Sequence, residues 1–297
     1  MRIAYLCSAD VLPGHAARRE DAFEADAQWE ALFPACRDRG LELVPVAWDS
    51  EELQQTRFDA AVLGPTWDYT GRPGAFLEVL RGLERHGPVF NDAALVEWNF
   101  DKRYLRELSD KGVPTIPTLW ADAGNEAVYQ MAAERFGTTQ LVVKAQVGAG
   151  AYGQLLLPND SDKPAPSGAV MVQPFIASVA TDGEWSVIVI GGEVSHVSRK
   201  MPAKGDYRVQ SLYGGSEVVG EYTPELRACV ERVLAAVEQD MLYARVDLVR
   251  MDDGSFALIE LELIEPYLYP REGPNLGPRY AEALSVRLGL AEADGTR

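Results

Sequence analysis

Short apolar runs alternate with longer amphipathic stretches through the first hundred residues. Residues 3–6, 41–48, 59–64 and 88–90 are compact apolar segments that predict strands. Between them, residues 20–39 place Phe23, Ala27, Leu32 and Phe33 near helical spacing, with Pro34 a predicted break and Gly40 a stop. Residues 73–85 predict a second helix with proline in its first turn. Strands separated by helices give βαβ units and a parallel sheet covered on both faces.

The pattern then changes. Residues 101–111 predict a helix, Gly112-Val113-Pro114 a turn, 115–119 a strand and 126–136 another helix. Strands follow at 141–145 and 154–157 around a glycine-rich turn, and the polar segment 159–168 is an exposed loop. From there the chain reads as strands on tight turns: 169–175, then 184–190 and 193–200 joined by Gly191-Gly192. A helix at 224–240, strands at 242–250 and 255–264 around Asp253-Gly254, and a helix at 278–288 complete it, with no internal repeat.

Composition narrows the function. Hydrophobic residues make up 47% and charged residues 25% of the 297, as in an ordinary globular enzyme. With 45 acidic against 28 basic side chains the formal charge is −17, which repels phosphate backbones and anionic lipid and argues against nucleic-acid or membrane partners. Cys7, Cys36 and Cys229 form no metal or redox spacing, so they predict reduced thiols in a cytoplasmic protein. No stretch reaches the roughly 20 apolar residues of a membrane span, and the first residues lack a signal-peptide core.

Against so acidic a background, basic residues beside glycines are informative. Lys144 ends an apolar strand and runs into Gly148, Gly150 and Gly153 before the next strand. Glycines let backbone N–H groups converge on an anion while a lysine supplies charge, and a loop between two strands makes a flap over a polyphosphate. It is neither a Walker A loop nor a dinucleotide fingerprint, since it opens no helix. Arg245 and Asp247 share one face of a strand; one hairpin later Glu260 and Glu262 do the same amid Leu258, Ile259, Leu261 and Leu263. Two same-face glutamates in so apolar a strand must be paired or bind a cation, and with Asp247 they form the hard oxygen set that suits Mg²⁺. Gln173, Pro174, Phe175 and Ile176 offer backbone groups to an adenine edge, and Glu184 a carboxylate to a ribose.

In this order the motifs resemble the ATP-grasp superfamily over roughly residues 98 to 290. The resemblance implies an α/β protein with an ATP-grasp fold, two α+β subdomains gripping ATP, preceded by a parallel-sheet pre-ATP-grasp domain. It divides the chain into 1–97, 98–175 (the subdomain with the glycine flap) and 176–297 (the subdomain with the metal carboxylates). Carried over by position, Lys102 and Lys144 contact phosphates under the flap, Gln173 to Ile176 line adenine, and Glu184 holds ribose. Asp247, Glu260 and Glu262 bind one or two Mg²⁺, or Mn²⁺, and Arg245 neutralises a forming acyl phosphate. Asparagine often stands where this chain has Glu262. Gly205-Asp206-Tyr207-Arg208 resembles a segment of glutathione synthetases and ribosomal-protein glutamate ligases, which makes Arg208 the leading catalytic residue, with Lys200 and then Arg199 as further phosphate contacts. Thr66-Trp67-Asp68-Tyr69, Trp98-Asn99-Phe100-Asp101-Lys102 and Glu262-Leu263-Ile264-Glu265-Pro266 are similar to a smaller bacterial group. That group includes the O-ureido-serine cyclo-ligase of cycloserine biosynthesis.

The implied reaction is ADP-forming condensation of a small amino acid-like carboxylate with a nitrogen nucleophile. The acid is activated as an acyl phosphate while Lys144, Arg208 and Arg245 absorb charge. Attack within one molecule gives a ring and attack by a second gives an amide, and the sequence leaves both open. A kinase and a non-catalytic nucleotide-binding protein are the other classes to separate, and a homodimer stays open. For the substrate, the loops at 10–19 and 65–69, with Asp68 and Tyr69, lie where open α/β sheets collect ligands, and Glu265 and Arg271 follow the metal strand. His196 is a candidate base, though a strand histidine is more often a packing residue.

Overall fold

The computed structural model describes residues 1–148, 153–203, 209 and 214–290. Four strands, β1 (Arg2–Cys7), β2 (Glu42–Ala47), β3 (Ala60–Leu63) and β4 (Val89–Phe90), form a parallel sheet in the order β2-β1-β3-β4. Tyr5, Leu6, Val62 and Leu63 are buried, as continuous apolar strands covered on both faces require. The helix Ala22–Asp38 runs through Pro34 rather than breaking there. Its inward face, Ala25, Gln28, Leu32 and Cys36, is buried at helical spacing, and that packing outweighs the one missing donor. The C-terminal helix Leu276–Arg287 crosses it closely enough that a Cβ on Gly277 would stand 2.1 Å from the Ala31 carbonyl oxygen. The end of the chain thus packs against its beginning.

A second, antiparallel sheet holds β5 (Leu119–Ala121), β6 (Leu141–Ala145), β7 (Leu155–Leu157) and β8 (Val170–Pro174), in the order β5-β8-β6-β7. The strand expected at 115–119 starts only at its far end. Pro117 cannot donate to a ladder, and Thr115 instead bridges Leu258.

The third sheet has five antiparallel strands, β9 (Glu184–Ile190), β10 (Glu193–Met201), β11 (Ser216–Val219), β12 (Tyr243–Arg250) and β13 (Phe256–Glu262), in the order β11-β10-β9-β12-β13. Beneath it pack the helix Pro224–Ala236, which ends earlier than the predicted 240, and Leu95, Tyr104, Leu105 and Leu108. These last come from the helices Ala93–Asn99 and Tyr104–Asp110. The first of the two has no expectation in the sequence pattern; Asp92 caps it by accepting from the Leu95 N–H at 2.9 Å. The second begins three residues later than predicted because Asp101 bridges Val147 and accepts from the Arg103 N–H. Among the described residues, no helix is long and apolar enough to cross a membrane.

Candidate active site

One face of the five-stranded sheet carries charge. The register sets Arg245 opposite Glu262, Asp247 opposite both Glu260 and Ser186, and Lys200 opposite Glu184. Because side chains alternate, these residues project to the same side while Val187, Val246 and Leu261 point into the core. Gly183 permits the start of β9 to lie against β10: its φ is +71°, and a Cβ there would meet the Lys200 carbonyl oxygen at 2.2 Å. Glu184 is thereby held beside Lys200.

The cations and carboxylates interlock. Lys200 Nζ lies 2.9 Å from Glu184 Oε2 and 3.4 Å from Asp247 Oδ1. Arg245 donates to Asp247 through Nε and Nη2 at 3.0 and 2.9 Å and also to Glu262 Oε1. Ser186 Oγ donates to Asp247 Oδ1. Lys102 Nζ reaches Glu260 Oε1 at 3.0 Å and donates to the Gly148 carbonyl at the root of the glycine turn. The Arg245 guanidinium also sits 5.6 Å from the Tyr269 ring centroid and donates to the Tyr267 carbonyl. Lys144 comes from β6, in the other antiparallel sheet. Burial pulls its ammonium below the usual lysine range even though Glu260 and Glu184 oppose that shift, and Lys102 and Lys200 add to it.

The acids divide into two kinds. Asp247 has a 4% exposed side chain and is desolvated, yet the Arg245 and Lys200 charges and the Arg245 and Ser186 hydrogen bonds hold it at about 2. Glu260 is also held low, by Lys102 and Lys144 against its own desolvation. Glu262 is pushed up to about 7, by burial first and then by Asp247 and Glu260, which Arg245 does not fully offset. Glu265 is buried and rises to about 8, through desolvation and then Glu262. The cluster is therefore short of positive charge at its Glu262 end.

That shortage, and a donor set made wholly of carboxylate oxygens, fits a hard divalent cation. Glu260 and Glu262 keep side-chain exposures of 27% and 25%, so an ion can reach them. The chelate is not preassembled: among the described residues no three acidic, histidine or cysteine side chains are gathered closely enough to hold a metal by themselves. Each of the three carboxylates already has a cationic partner, Lys102 for Glu260, Lys200 and Arg245 for Asp247, and Arg245 for Glu262.

The other sequence candidates lie as follows. Gly148 follows β6 and Gly153 precedes β7, while Gly150 and Arg208 fall outside the described residues. Gln173 is buried and donates its amide to Thr118 Oγ1 at 3.0 Å; Pro174 ends β8. The Phe175 N–H donates to the Gln140 carbonyl and the Ile176 carbonyl accepts from Val179, so these two groups already have partners. Asp68 accepts from Ser8 Oγ and Trp48 Nε1, each at 2.7 Å, and Tyr69 is buried against Phe76. Both are built into the N-terminal sheet's loops. Trp67 Nε1 reaches across to the Glu265 carbonyl at 3.1 Å. Arg271 is exposed on the turn after Tyr269. Arg199, next to Lys200, takes the opposite face and is tied to Asp182 at 2.7 Å. His196 Nε2 donates to the Leu268 carbonyl, 2.9 Å away, and the ring is kept below the ordinary histidine value by burial, as befits a packing residue. The sequence reading did not single out Ser186, Asn91 or Tyr104, and it quoted Asn99 only within a family segment. A buried polar side chain in an apolar surround was the available signal.

Known proteins agree with this architecture. Residues 3–91 match the family model described as D-cycloserine synthetase DcsG, N-terminal domain. The chain is 30% identical over 286 residues to the cycloserine biosynthesis protein DcsG of Streptomyces lavendulae, covering 86% of this chain and 92% of that one. A crystal structure of D-cycloserine synthetase DcsG superposes with a TM-score of 0.82 at 27% identity, over 97% of this chain and all of that one. The ATP complex of the D-alanine–D-alanine ligase from Bacillus anthracis gives 0.68 at 18% identity, over 98% and 97%, which speaks for the fold alone. Identity at this level along nearly the full length of both chains, on a shared fold, means that the chain belongs to the DcsG family of ATP-grasp ligases.

Proposed function

We propose that this ATP-dependent ligase is ADP-forming and Mg²⁺-dependent, that it activates a small amino acid-like carboxylate as an acyl phosphate, and that a nitrogen of the same molecule then closes a ring. The observation that carries this reading is the convergence of Lys102, Lys144, Lys200 and Arg245 on Glu184, Asp247, Glu260 and Glu262, from two different sheets and, for Lys102, from the turn before the helix Tyr104–Asp110. Similarity to a protein named for cycloserine biosynthesis supports the ring-closing outcome.

In this mechanism Asp247, Glu260 and Glu262 hold Mg²⁺, which when bound screens the charge of the polyphosphate. The chain's own cations do the rest. Lys102 and Lys144 bind phosphate oxygens beneath the glycine turn, and Glu184 orients the ribose. Lys200 and Arg245, already fixed by Asp247, face the charge that develops as a carboxylate oxygen bonds to the γ-phosphorus and the bond to ADP breaks. Arg208 is proposed for the same charge. The nitrogen then adds to the acyl carbon, inorganic phosphate leaves with the electron pair, and the nitrogen's proton is released. Burial keeps Lys144 ready to gain charge stabilisation when an anion arrives. Glu265, Asp68, Tyr69 and Arg271 are proposed to line the substrate side.

Screening amino acids with ATP for phosphate release, followed by product mass, tests the reading. A product equal to substrate minus water, with one ADP per turnover, is expected. The sum of two substrates minus water would replace ring closure by an intermolecular bond, and a phosphorylated product without free phosphate would replace the ligase by a kinase. Glu260→Gln should also remove the thermal shift caused by Mg²⁺-ATP; a shift that survives would defeat the metal assignment.

A further inference from the structure

The strand that carries Glu260 and Glu262 lies at the edge of its sheet, with β12 as its strand neighbour among the described residues. On its outward side Leu258 is bonded to the 114–116 segment, its N–H donating to the Pro114 carbonyl and its carbonyl accepting from Ile116, and beyond it side chains take over. Asn99 Nδ2 donates to the Leu261 carbonyl at 2.8 Å, and Asn99 Oδ1 accepts from the Leu263 N–H at 3.1 Å. The Leu261 N–H donates to Tyr104 Oη at 2.9 Å, and the Leu263 carbonyl accepts from Asn91 Nδ2. In a parallel ladder one residue's N–H and C=O bond the carbonyl and amide on either side of the residue opposite. The Asn99 amide makes that same pair of bonds around Glu262, and so stands in for one residue of a missing neighbour.

We infer that Asn99 is a positioning residue for the acidic pair Glu260 and Glu262. The ladder of β13 with β12 carries a register shift between Asp247 and Leu248, at the start of the stretch that bears both glutamates. Asn99 is buried, and its amide donates to one backbone group beside Glu262 and accepts from the other, so it holds that stretch at a fixed place against the cations. The same segment supplies Lys102, whose ammonium meets Glu260. One stretch of chain therefore anchors the free edge beside Glu262 and neutralises Glu260.

This rests on the proposed role of Glu260 and Glu262 in holding a divalent cation, and the experiment separates the two. Binding of Mn²⁺ in the presence of a non-hydrolysable ATP analogue is followed by electron paramagnetic resonance in wild type, Asn99→Leu, Glu260→Gln and, as a control, Gln28→Leu. Gln28 is an equally buried amide that ties Tyr5 to the Leu268 N–H and bonds none of the three carboxylates. Asn99→Leu should weaken Mn²⁺ binding by about 10- to 100-fold, while Gln28→Leu lowers the melting temperature without that loss. If Glu260→Gln weakens Mn²⁺ binding but Asn99→Leu does not, or if Gln28→Leu weakens it equally, the positioning role is overturned and the metal assignment stands. If Glu260→Gln has no effect, the metal assignment itself falls. Should Asn99→Leu not fold, hydrogen exchange on the wild-type protein decides. The Leu261 and Leu263 amides must exchange as slowly as amides paired inside the sheet, and rapid exchange at either overturns the inference.

Discussion

The parallel sheet at the N-terminus and the five-stranded sheet at the C-terminus treat charge in opposite ways. The strands β1 and β3 are buried on both sides, and the residues within them are apolar almost without interruption. Nothing on such a strand can change its role without leaving a hole or an unpaired charge in a packed layer. The strands β9 and β12 are almost equally buried and β10 is partly so, but one of their faces holds Lys200, Glu184, Ser186, Arg245 and Asp247. There burial is reached by mutual neutralisation rather than by apolar packing. The difference teaches that inaccessibility alone does not mark a core: what matters is whether the partners of a buried group are carbon atoms or opposite charges.

Substitutions can break or sharpen that contrast. The largest effect is expected for Asp247→Ala, which strips Arg245 and Lys200 of a shared partner inside a dry layer. With Asp247 engaged by three side chains, it should cost about 3–5 kcal/mol of stability in chemical denaturation and abolish turnover. An unchanged denaturation midpoint would show that charge here is merely tolerated. Next comes Leu80→Ala beneath the parallel sheet, where about 2–5 kcal/mol should be lost with the KM for ATP unaltered, since only packing is removed. A raised KM would mean that the two regions are not energetically separate. Lys144→Ala should leave stability nearly intact, because a desolvated ammonium is removed, and raise the apparent KM for ATP by about tenfold, or 1.4 kcal/mol. An unchanged KM would count against the phosphate role.

The smallest effect concerns His196, a buried polar group on the C-terminal sheet outside the charged cluster. Its folded value is depressed by burial, so the unfolded chain takes up a proton first as the pH falls. Its contribution to stability is complete above about pH 6.5 and declines as the pH drops from there toward the folded value. His196→Gln should flatten that limb of a stability–pH curve, and an unaltered limb would assign the decline to the carboxylates.

Much of this was legible before any coordinates. Apolar runs located nearly every strand, and the spacing of Arg245 with Asp247 and of Glu260 with Glu262 put each pair on one face. The misplaced elements have separate causes. Pro34 lost to the tertiary packing of Leu32 and Cys36, Pro117 postponed β5, and the short helix Ala93–Asn99 has too few turns to show a period. That the Phe175 N–H in the proposed adenine segment Gln173 to Ile176 pairs with the Gln140 carbonyl is a contact no local pattern could reveal.

By itself, then, the sequence determined the order of elements, the faces on which acids and bases lie, and the family to which the motifs belong. The first two are consequences of backbone periods that operate within a few residues, and the third rests on the resemblance of short motifs in a fixed order. Only the tertiary structure decided that Ser186 and Lys200 meet Asp247, that Lys144 approaches from another sheet, and that Asn91, Asn99 and Tyr104 close the free edge of β13. Those contacts join residues up to 172 positions apart. They depend on strand order and sheet packing, which are set by the balance of burial over the whole chain and leave no mark in any single stretch of it.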